Sequence, residues 1–269
     1  PSFTCVGDQA FVTSEDGTSG DCVYSVPDAS LDPTMAADNC GVTSVTHNYN
    51  MGGTTLLGED FPVGTTTVVW TIEDDNGRTN TCTYDVVVTD NEIPSFTCVG
   101  DQAFGTSADG ISGDCVYSVQ DASLDPTMAA DNCGVQSVTH NYNMGGTTLS
   151  GQNFPVGTTN VTWTILDNNG NSHTCTYDVV VTDDEVPVII NCPSEDVVYL
   201  DNFCNGQLPD YTSILMASDN CDNNVFIYQV PEHDAFVYNG EQVVTVGVVA
   251  VDDNSNSNTC FIDVTFIDN

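Results

Sequence analysis

Strict alternation of apolar and polar residues, a long internal repeat and twelve cysteines falling in groups of four predict an all-β chain of three tandem sandwich repeats, each with two disulfides. The repetition sets the domain count. Pro94 to Phe104 restates Pro1 to Phe11 93 positions further on, and most residues between the two copies match. A third, diverged copy opens at Pro187 and keeps Cys192, Cys204, the Asp219-Asn220-Cys221 triplet, Cys260 and a closing Ile267-Asp268-Asn269. The expected boundaries are 1–93, 94–186 and 187–269. Units of roughly 80 to 95 residues can each bury one small core but usually need cross-links to hold it.

The strands are read from the alternation. Val68, Trp70 and Ile72 alternate with Thr67, Val69 and Thr71, and Cys82, Tyr84, Val86 and Val88 alternate with Thr83, Asp85, Val87 and Thr89. Each run is a half-buried strand, and Asp74-Asp75-Asn76-Gly77 between them signals a hairpin. The second copy repeats the pattern with Val161, Trp163, Ile165, then Asp167-Asn168-Asn169-Gly170, then Cys175, Tyr177, Val179 and Val181. The third keeps Val246, Val248, Ala250, then Asp252-Asp253-Asn254-Ser255, then Cys260, Ile262, Val264 and Phe266. Helical periodicity is absent, and the non-alternating Met35-Ala36-Ala37 has room for no more than one helical turn. Short strands and frequent Gly, Asn and Asp turns argue for a Greek-key sandwich.

Four cysteines per repeat, none in a C-x-x-C pair, read as a disulfide framework and place the chain in an oxidising compartment, outside the cell or on its surface. No signal peptide is visible and no apolar run approaches the roughly 18 residues that span a bilayer, so a mature or excised part of a longer secreted chain is expected. Against 39 acidic residues stands one basic residue, Arg78, for a net charge of −38. Nucleic acid is thereby excluded as a partner. Of the acids 31 are Asp and 8 are Glu, a bias toward turns and metal loops rather than helices. Such a charge repels itself in the compact state unless cations gather on it.

The run Phe61-Pro62-Val63-Gly64-Thr65-Thr66-Thr67-Val68-Val69-Trp70-Thr71, followed by Asp74, Gly77, Cys82-Thr83-Tyr84 and Val86-Val87-Val88-Thr89-Asp90, resembles the HYR (hyalin repeat) family, once per repeat over essentially the whole chain. The resemblance implies immunoglobulin-like sandwiches of secreted and surface proteins linked to adhesion, with no catalytic residues to carry over. The third copy departs from it, with Val237-Tyr238-Asn239-Gly240 in place of Phe-Pro-Val-Gly and shorter cysteine spacings, so its loops are expected to differ.

Four cysteines allow three pairings, which spacing alone does not decide. The pairing favoured here is Cys5 with Cys22 and Cys40 with Cys82, then Cys98 with Cys115, Cys133 with Cys175, Cys192 with Cys204 and Cys221 with Cys260. Cys5 and Cys22 flank the first hairpin, and a Cys40–Cys82 bond would clamp two acidic loops together.

In such a sandwich the last strand ends opposite to the loops that carry Asp38-Asn39 and Asp74, so the linker of one repeat meets those loops of the next. Asp90, Asn91 and Glu92 then approach Asp131, Asn132 and Asp167, while Asp183, Asp184 and Glu185 approach Asp219, Asn220 and Asp252. Calcium takes six to eight such hard oxygens, and extracellular modules bind it at about 0.1 to 1 mM. Ca²⁺ is therefore expected at each junction; the plain alternative is that these Asp and Asn residues only form turns. In the first repeat Asp38, Asn39 and Asp74 lack such a linker, and a further repeat or a second copy joined head to tail would supply it.

Other signals carry less. His47 and His140 occupy equivalent strand positions and His173 and His233 have no counterparts, so packing and loop roles are expected. Acid pairs recur at turns without a cleft, against a glycosidase. Lysine is absent, which excludes Lys–Asn cross-links within the chain. Asn160-Val161-Thr162 is a sequon at a strand entrance, not assigned to glycosylation, while glycans on Thr or Ser are compatible with runs such as Thr65-Thr66-Thr67. The expected function is a non-enzymatic, calcium-stiffened stalk or filament subunit that stacks on copies of itself. The competing reading is an adhesin that binds a glycan or surface protein through the third repeat, near Phe226, Tyr228, Phe236 and Tyr238.

Overall fold

The computed structural model describes residues 1–17, 20–235 and 237–268. The chain forms two compact units. The first takes Pro1–Cys98, Pro126–Thr147 and Thr162–Thr176, the second Val99–Asp125, Thr148–Val161 and Tyr177–Asn269. The second sequence repeat thus contributes strands to both.

In the first unit the alternating runs are the paired strands Gly64–Asp74 and Thr79–Thr89, with Val68 opposite Tyr84 and Trp70 opposite Cys82. Val42–His47 adds antiparallel to the first of these, and Gln9–Val12 adds parallel to the second, completing a four-stranded sheet. Two short pairs, Ser2–Thr4 with Thr34–Ala37 and Val23–Ser25 with Asp60–Pro62, form the rest of the strand framework. Val68, Trp70, Tyr84, Val86 and Val88 bury their face against Tyr24, Leu31, Leu56 and Phe61. The buried Tyr84 hydroxyl donates to the Leu31 carbonyl at 2.6 Å, and the Trp70 indole N–H donates to that hydroxyl at 3.3 Å, so the core's polar tips are paired. From the second repeat this unit takes Ser95–Thr97 paired with Thr127–Ala130, and Val135–His140 laid along the 163–167 end of Gly157–Asp167.

The second unit repeats the plan with different filling. Gln242–Val251 and Ser257–Ile267 form the long hairpin, flanked by Phe226–Val230 and, in parallel, by Glu195–Tyr199. Val246, Val248, Ile262, Val264 and Phe266 are its core face, packed on Leu208, Tyr211 and Leu215. Val248 and Ile262 stand where the other copies have Trp and Tyr; here Tyr211, from a different loop, carries its hydroxyl to Asp196 at 2.8 Å. Burial pushes the Tyr211 phenol upward. Gln102–Gly105, parallel to the 179–182 end of Ser172–Thr182, and Val116–Ser118, paired with Asn153–Pro155, complete this unit.

The structure overturns the expected cysteine pairing. Within repeats the bonds are Cys5–Cys82, Cys98–Cys175 and Cys192–Cys260, and the other two, Cys22–Cys133 and Cys115–Cys221, join one repeat to the next. Cys40 and Cys204 are exposed free thiols. Each repeat therefore holds one internal cystine rather than two. The reason is spatial: the chain start runs beside the start of the last strand, where Asn80 Nδ2 donates to the Pro1 carbonyl at 3.4 Å, which leaves Cys5 and Cys82 with Cα atoms 6.4 Å apart. The first hairpin that favoured Cys5 with Cys22 does not form: Ser2–Thr4 pairs with Thr34–Ala37, Val23–Ser25 pairs with Asp60–Pro62, and Gln9–Val12 lies parallel to the last strand. Met35-Ala36-Ala37 lies in the strand Thr34–Ala37, where Ser2 pairs with Ala37 and Thr4 with Thr34.

Candidate metal-binding site

Each unit gathers carboxylates at one point. In the first, one oxygen each of Asp90, Asp131 and Asp167 lies within 4.8 Å of the others. Asp167 ends its strand and is fully buried; its Oδ1 accepts the backbone N–H groups of Asn169, Gly170 and Asn171 at 2.8, 2.6 and 2.8 Å, which shapes the hairpin turn. Asp131 Oδ1 accepts from Cys133 N at 2.9 Å, an Asx turn, and Asp90 Oδ1 accepts from Glu92 N at 3.1 Å and Thr13 Oγ1 at 3.3 Å. Asp90 and Asp131 thus each spend one oxygen on their own loops, and Asp167 spends both, its Oδ2 accepting from Asn171 Nδ2 at 2.8 Å. The second oxygens of Asp90 and Asp131 are buried with no partner, as is Asn132 Oδ1.

Asparagine amides tie the loops together. Asn132 Nδ2 donates to the Asp21 carbonyl at 2.8 Å, next to the Cys22–Cys133 bond, and Asn171 Nδ2 donates to the Asp90 carbonyl at 3.3 Å. Burial raises and hydrogen bonding lowers the Asp167 carboxyl; the Asn171 amide and the turn N–H groups win, holding it below the usual range.

The second unit builds the same arrangement from Asp183, Asp219, Asp222 and Asp252, again within 4.8 Å. Asp219 Oδ1 accepts from Cys221 N at 2.8 Å, Asp252 Oδ1 from Asn256 N at 2.7 Å and Asp183 Oδ1 from Glu185 N at 3.2 Å. The second oxygens of Asp183, Asp219 and Asp252 are buried and unpartnered. Asn220 Nδ2 donates to the Asp114 carbonyl at 3.1 Å beside Cys115–Cys221, and Asn256 Nδ2 to the Asp183 carbonyl at 3.2 Å. Burial, then the charges of Asp219 and Asp252, push the Asp183 carboxyl upward.

Converging bare carboxylate oxygens repel one another and are costly to bury without a counter-charge. The donor set is all oxygen: no histidine takes part, and the nearby Cys221 sulfur is committed to a cystine. That chemistry fits a hard divalent cation such as Ca²⁺.

A family model of the HYR domain matches residues 1–88 and 89–181. The chain belongs to the HYR domain family. It is 31% identical over 204 residues to hyalin of Strongylocentrotus purpuratus, covering 72% of this chain and 15% of that protein. Hyalin of Lytechinus variegatus is 31% identical over 170 residues, covering 62% and 28%. The chain thus spans well under a third of the curated relatives it matches. Among solved structures, a protocadherin gammaB7 EC3-6 cis-dimer (TM-score 0.36, 14% identity, 100% of this chain and 73% of that one) and Drosophila N-cadherin EC1-3 (0.33, 13%, 98% of each) are likenesses too loose to carry an argument. HYR membership and the cystines place the chain outside the cell or on its surface, as an adhesion-related repeat protein. Among the described residues no helix is long and apolar enough to cross a membrane.

Of the acids singled out from the sequence, Asp90, Asp131 and Asp167 converge, as do Asp183, Asp219 and Asp252. Their linker neighbours do other work. Asn91 accepts from Ser14 Oγ at 3.0 Å, Glu92 from Gly20 N and Asp184 from Ser107 N at 2.9 Å, each fastening the linker to its own repeat, while Glu185 accepts from Gly113 N at 2.9 Å on one oxygen and from Asn220 Nδ2 on the other, tying the second repeat to the third. Asp38 holds Cys40 N at 2.8 Å and pairs with the Pro1 ammonium at 2.9 Å, while Asn39 is exposed and Asp74 buried. The sequence reading missed Asp222 and the loop that carries Asp21 and Asp114. The available signal was an Asp directly before the second cysteine in two of the copies, and an Asn four residues after Asp167 and Asp252.

His47 and His140 are buried packing residues. His47 lies buried edge-on to Trp70 with Nε2 3.0 Å from the Thr55 carbonyl, and His140 packs on Trp163 in the same way. His173 sits against Phe96.

Proposed function

We propose that this HYR protein is a non-enzymatic structural subunit of an extracellular rod or filament, built from modules at 1–93, 94–186 and 187–269 and stiffened by cystines and by Ca²⁺. The observation that carries the reading is the set of buried, unpartnered carboxylate oxygens on Asp90, Asp131, Asp183, Asp219 and Asp252, each steered by a hydrogen bond on its other oxygen. Asp90, Asp131 and Asp167 would hold one ion; Asp183, Asp219, Asp222 and Asp252 would hold a second. A bound cation offsets the repulsion within each cluster and lets it cross-link a linker to two loops. A cystine beside each cluster, Cys22–Cys133 or Cys115–Cys221, adds a covalent tie of the same span. Calorimetric titration of calcium into chelator-treated protein is expected to show two sites near 0.1 to 1 mM and a rise in melting temperature. No heat and no thermal shift would overturn the reading.

A second reading, recognition of a glycan or surface protein, is supported by the edge strand Phe226–Val230, where Phe226, Tyr228 and Val230 present exposed side chains on alternate positions, Phe226 at 69%. Tyr238 instead stacks on the core residue Phe266 at 4.9 Å, and Phe236 lies outside the described residues.

A further inference from the structure

Equivalent edge strands of the three repeats are finished differently. In the first repeat Val42–His47 is closed by its own chain: His47 pairs with Gly53, its N–H donating to that carbonyl at 2.9 Å, and His47 Nε2 lies 3.0 Å from the Thr55 carbonyl. His140 and Gly146 close Val135–His140 by the same backbone bond. In the third repeat Gln229 takes the histidine's place, opposite Val248 as His47 is opposite Trp70. Its carboxamide is buried: Oε1 accepts from Tyr211 N at 2.8 Å, and Nε2 donates to the Pro209 and Pro231 carbonyls at 3.2 Å each. Among the described residues, no segment pairs with the outer side of Phe226–Val230, the last strand of its sheet. Alternate N–H and C=O groups of an antiparallel strand point away from its one neighbour, so this edge keeps a row of them open.

The face beside that edge changes as well. Phe226, Tyr228 and Val230 stand where the first repeat has Ser44, Thr46 and Asn48 and the second has Ser137, Thr139 and Asn141. Phe261, directly after its cysteine, stands where the others have Thr83 and Thr176. Gly247 pairs with Val230 on one side and Phe261 on the other, and a Cβ there would come within 3.5 Å of the Phe261 ring. An exposed apolar row therefore continues from Phe261 across the glycine to the open edge. A cavity of about 650 Å³ borders the same strand, lined by Tyr228 and Val230 together with Thr212, Glu232, His233 and Asp234.

We propose that Phe226–Val230 receives an added strand, an extended segment of a partner protein in which apolar side chains alternate with lysine or arginine. The proposal rests on the recognition reading above and names its partner class. A glycan can stack on Phe226 and Tyr228 but brings no row of N–H and C=O groups at strand spacing. Side chains of an added strand fall alternately on the two faces of the sheet, so one set extends the Phe226, Tyr228 and Val230 row and the other lies on the face of Ile227 and Gln229. Charge sets the composition of the segment. Glu232 and Asp234 line the cavity, and 39 acids against one basic residue favour a basic partner. A second copy would bring like charge to like charge, and with Arg78 as its single basic side chain it contains no such segment.

The probe is a capped nonapeptide of alternating valine and lysine, fluorescently labelled and titrated into the 269-residue chain in calcium-containing buffer at about 0.15 M salt. Saturable binding is expected, with slowed hydrogen exchange at the amides of 226–230 that face away from Gln242–Val251. A peptide of the same composition with its valines and lysines in separate blocks, and the alternating peptide N-methylated throughout, should each bind about tenfold more weakly or worse. Phe226→Ser combined with Tyr228→Thr restores the residues of the first repeat and should weaken the alternating peptide about tenfold. Glu232→Gln with Asp234→Asn should weaken it too and flatten its salt dependence. Equal binding of all three peptides, or binding without protection at 226–230, would overturn the added strand. If the peptide fails to bind while an arrayed glycan binds the parent and not the Phe226→Ser, Tyr228→Thr variant, the partner class falls and the recognition reading stands. If neither binds, both fall. Dimers of the chain that dissociate in that double variant would assign the edge to a second copy and overturn the proposal.

Discussion

The two acidic clusters share one framework and differ by one carboxylate, and the difference starts in the backbone. In the first unit, Asp131-Asn132-Cys133 is followed by Gly134 at φ +99°, whose carbonyl accepts Asn168 N at 3.1 Å. In the second, Asp219-Asn220-Cys221 is followed by Asp222, and its carboxylate, not its carbonyl, accepts the matching N–H of Asp253 at 2.8 Å. A side-chain oxygen thus replaces a main-chain one, and the residue no longer needs the left-handed conformation that favours glycine. The structural bond is kept while a fourth charge joins the cluster. The first cluster is accordingly braced by its turn and the second is loaded with charge, so the first should depend more on hydrogen bonds and the second more on the ion.

The strongest test of that contrast is to remove the turn acid from each. Asp167 organises three backbone N–H groups and the Asn171 amide, whereas the corresponding Asp252 holds Asn256 N. In chelator, Asp167→Ala is expected to cost about 3 kcal/mol and Asp252→Ala about half of that. Both tryptophans, Trp70 and Trp163, belong to the first unit, so denaturation followed by their fluorescence reads Asp167→Ala; hydrogen exchange of the 252–256 turn reads Asp252→Ala. Equal losses would break the comparison.

Chelation should act in the opposite order. An ion at a hundred times its dissociation constant stabilises by about 2.7 kcal/mol per site, and the four-carboxylate cluster is left with more repulsion when the ion goes. Hydrogen exchange is expected to quicken more in the amides of 252–256 than in those of 167–171 when calcium is withdrawn. A larger change at 167–171 would reverse the assignment of roles.

Strand faces were legible because alternation is local: Val68, Trp70 and Ile72, or Tyr84, Val86 and Val88, declare their burial by spacing alone. The convergence of Asp90 with Asp131 and Asp167 was legible for a topological reason, the antiparallel path that returns the linker to the next repeat's loops. Which cysteines meet was not legible, because Cys5 and Cys82 are 77 residues apart and Cys22 and Cys133 are 111 apart, and nothing in their spacing records either approach. Asp222 was hidden for a different reason: an Asp after the Asp-Asn-Cys triplet reads as one more turn former until its N–H partner, Asp253, is known.

Asp222→Asn isolates the extra charge. The amide oxygen can still accept the Asp253 N–H, so the loop is expected to keep its shape, while calcium affinity at the second cluster falls about tenfold, roughly 1.4 kcal/mol. The first cluster, titrated in the same calorimetric run, should be unchanged. An unchanged second site would mean that Asp222 braces the loop and does not meet the ion.

The smallest effect carries the most telling sign. Asp183 is pushed upward by burial and by Asp219 and Asp252, so in the metal-free fold it binds its proton more tightly than in the unfolded chain, whose carboxyl titrates near 3.8. Its contribution to stability is present below that value and is lost as pH rises through the raised folded value; Asp167, held low, contributes in the other direction, losing its stabilisation as pH falls through its depressed value. Asp183→Asn makes the neutral state permanent. Its amide oxygen can keep the Glu185 N–H bond and its NH₂ can face the bare oxygens of Asp219 and Asp252. In chelator at neutral pH the variant should melt about 1 to 3 °C higher than the parent, and in excess calcium it should melt lower, because a ligand is gone. A change of the same sign in both buffers would show that Asp183 acts through its hydrogen bonds alone, and with that the distinction between a braced cluster and a charge-loaded one would fail at the residue where it is sharpest.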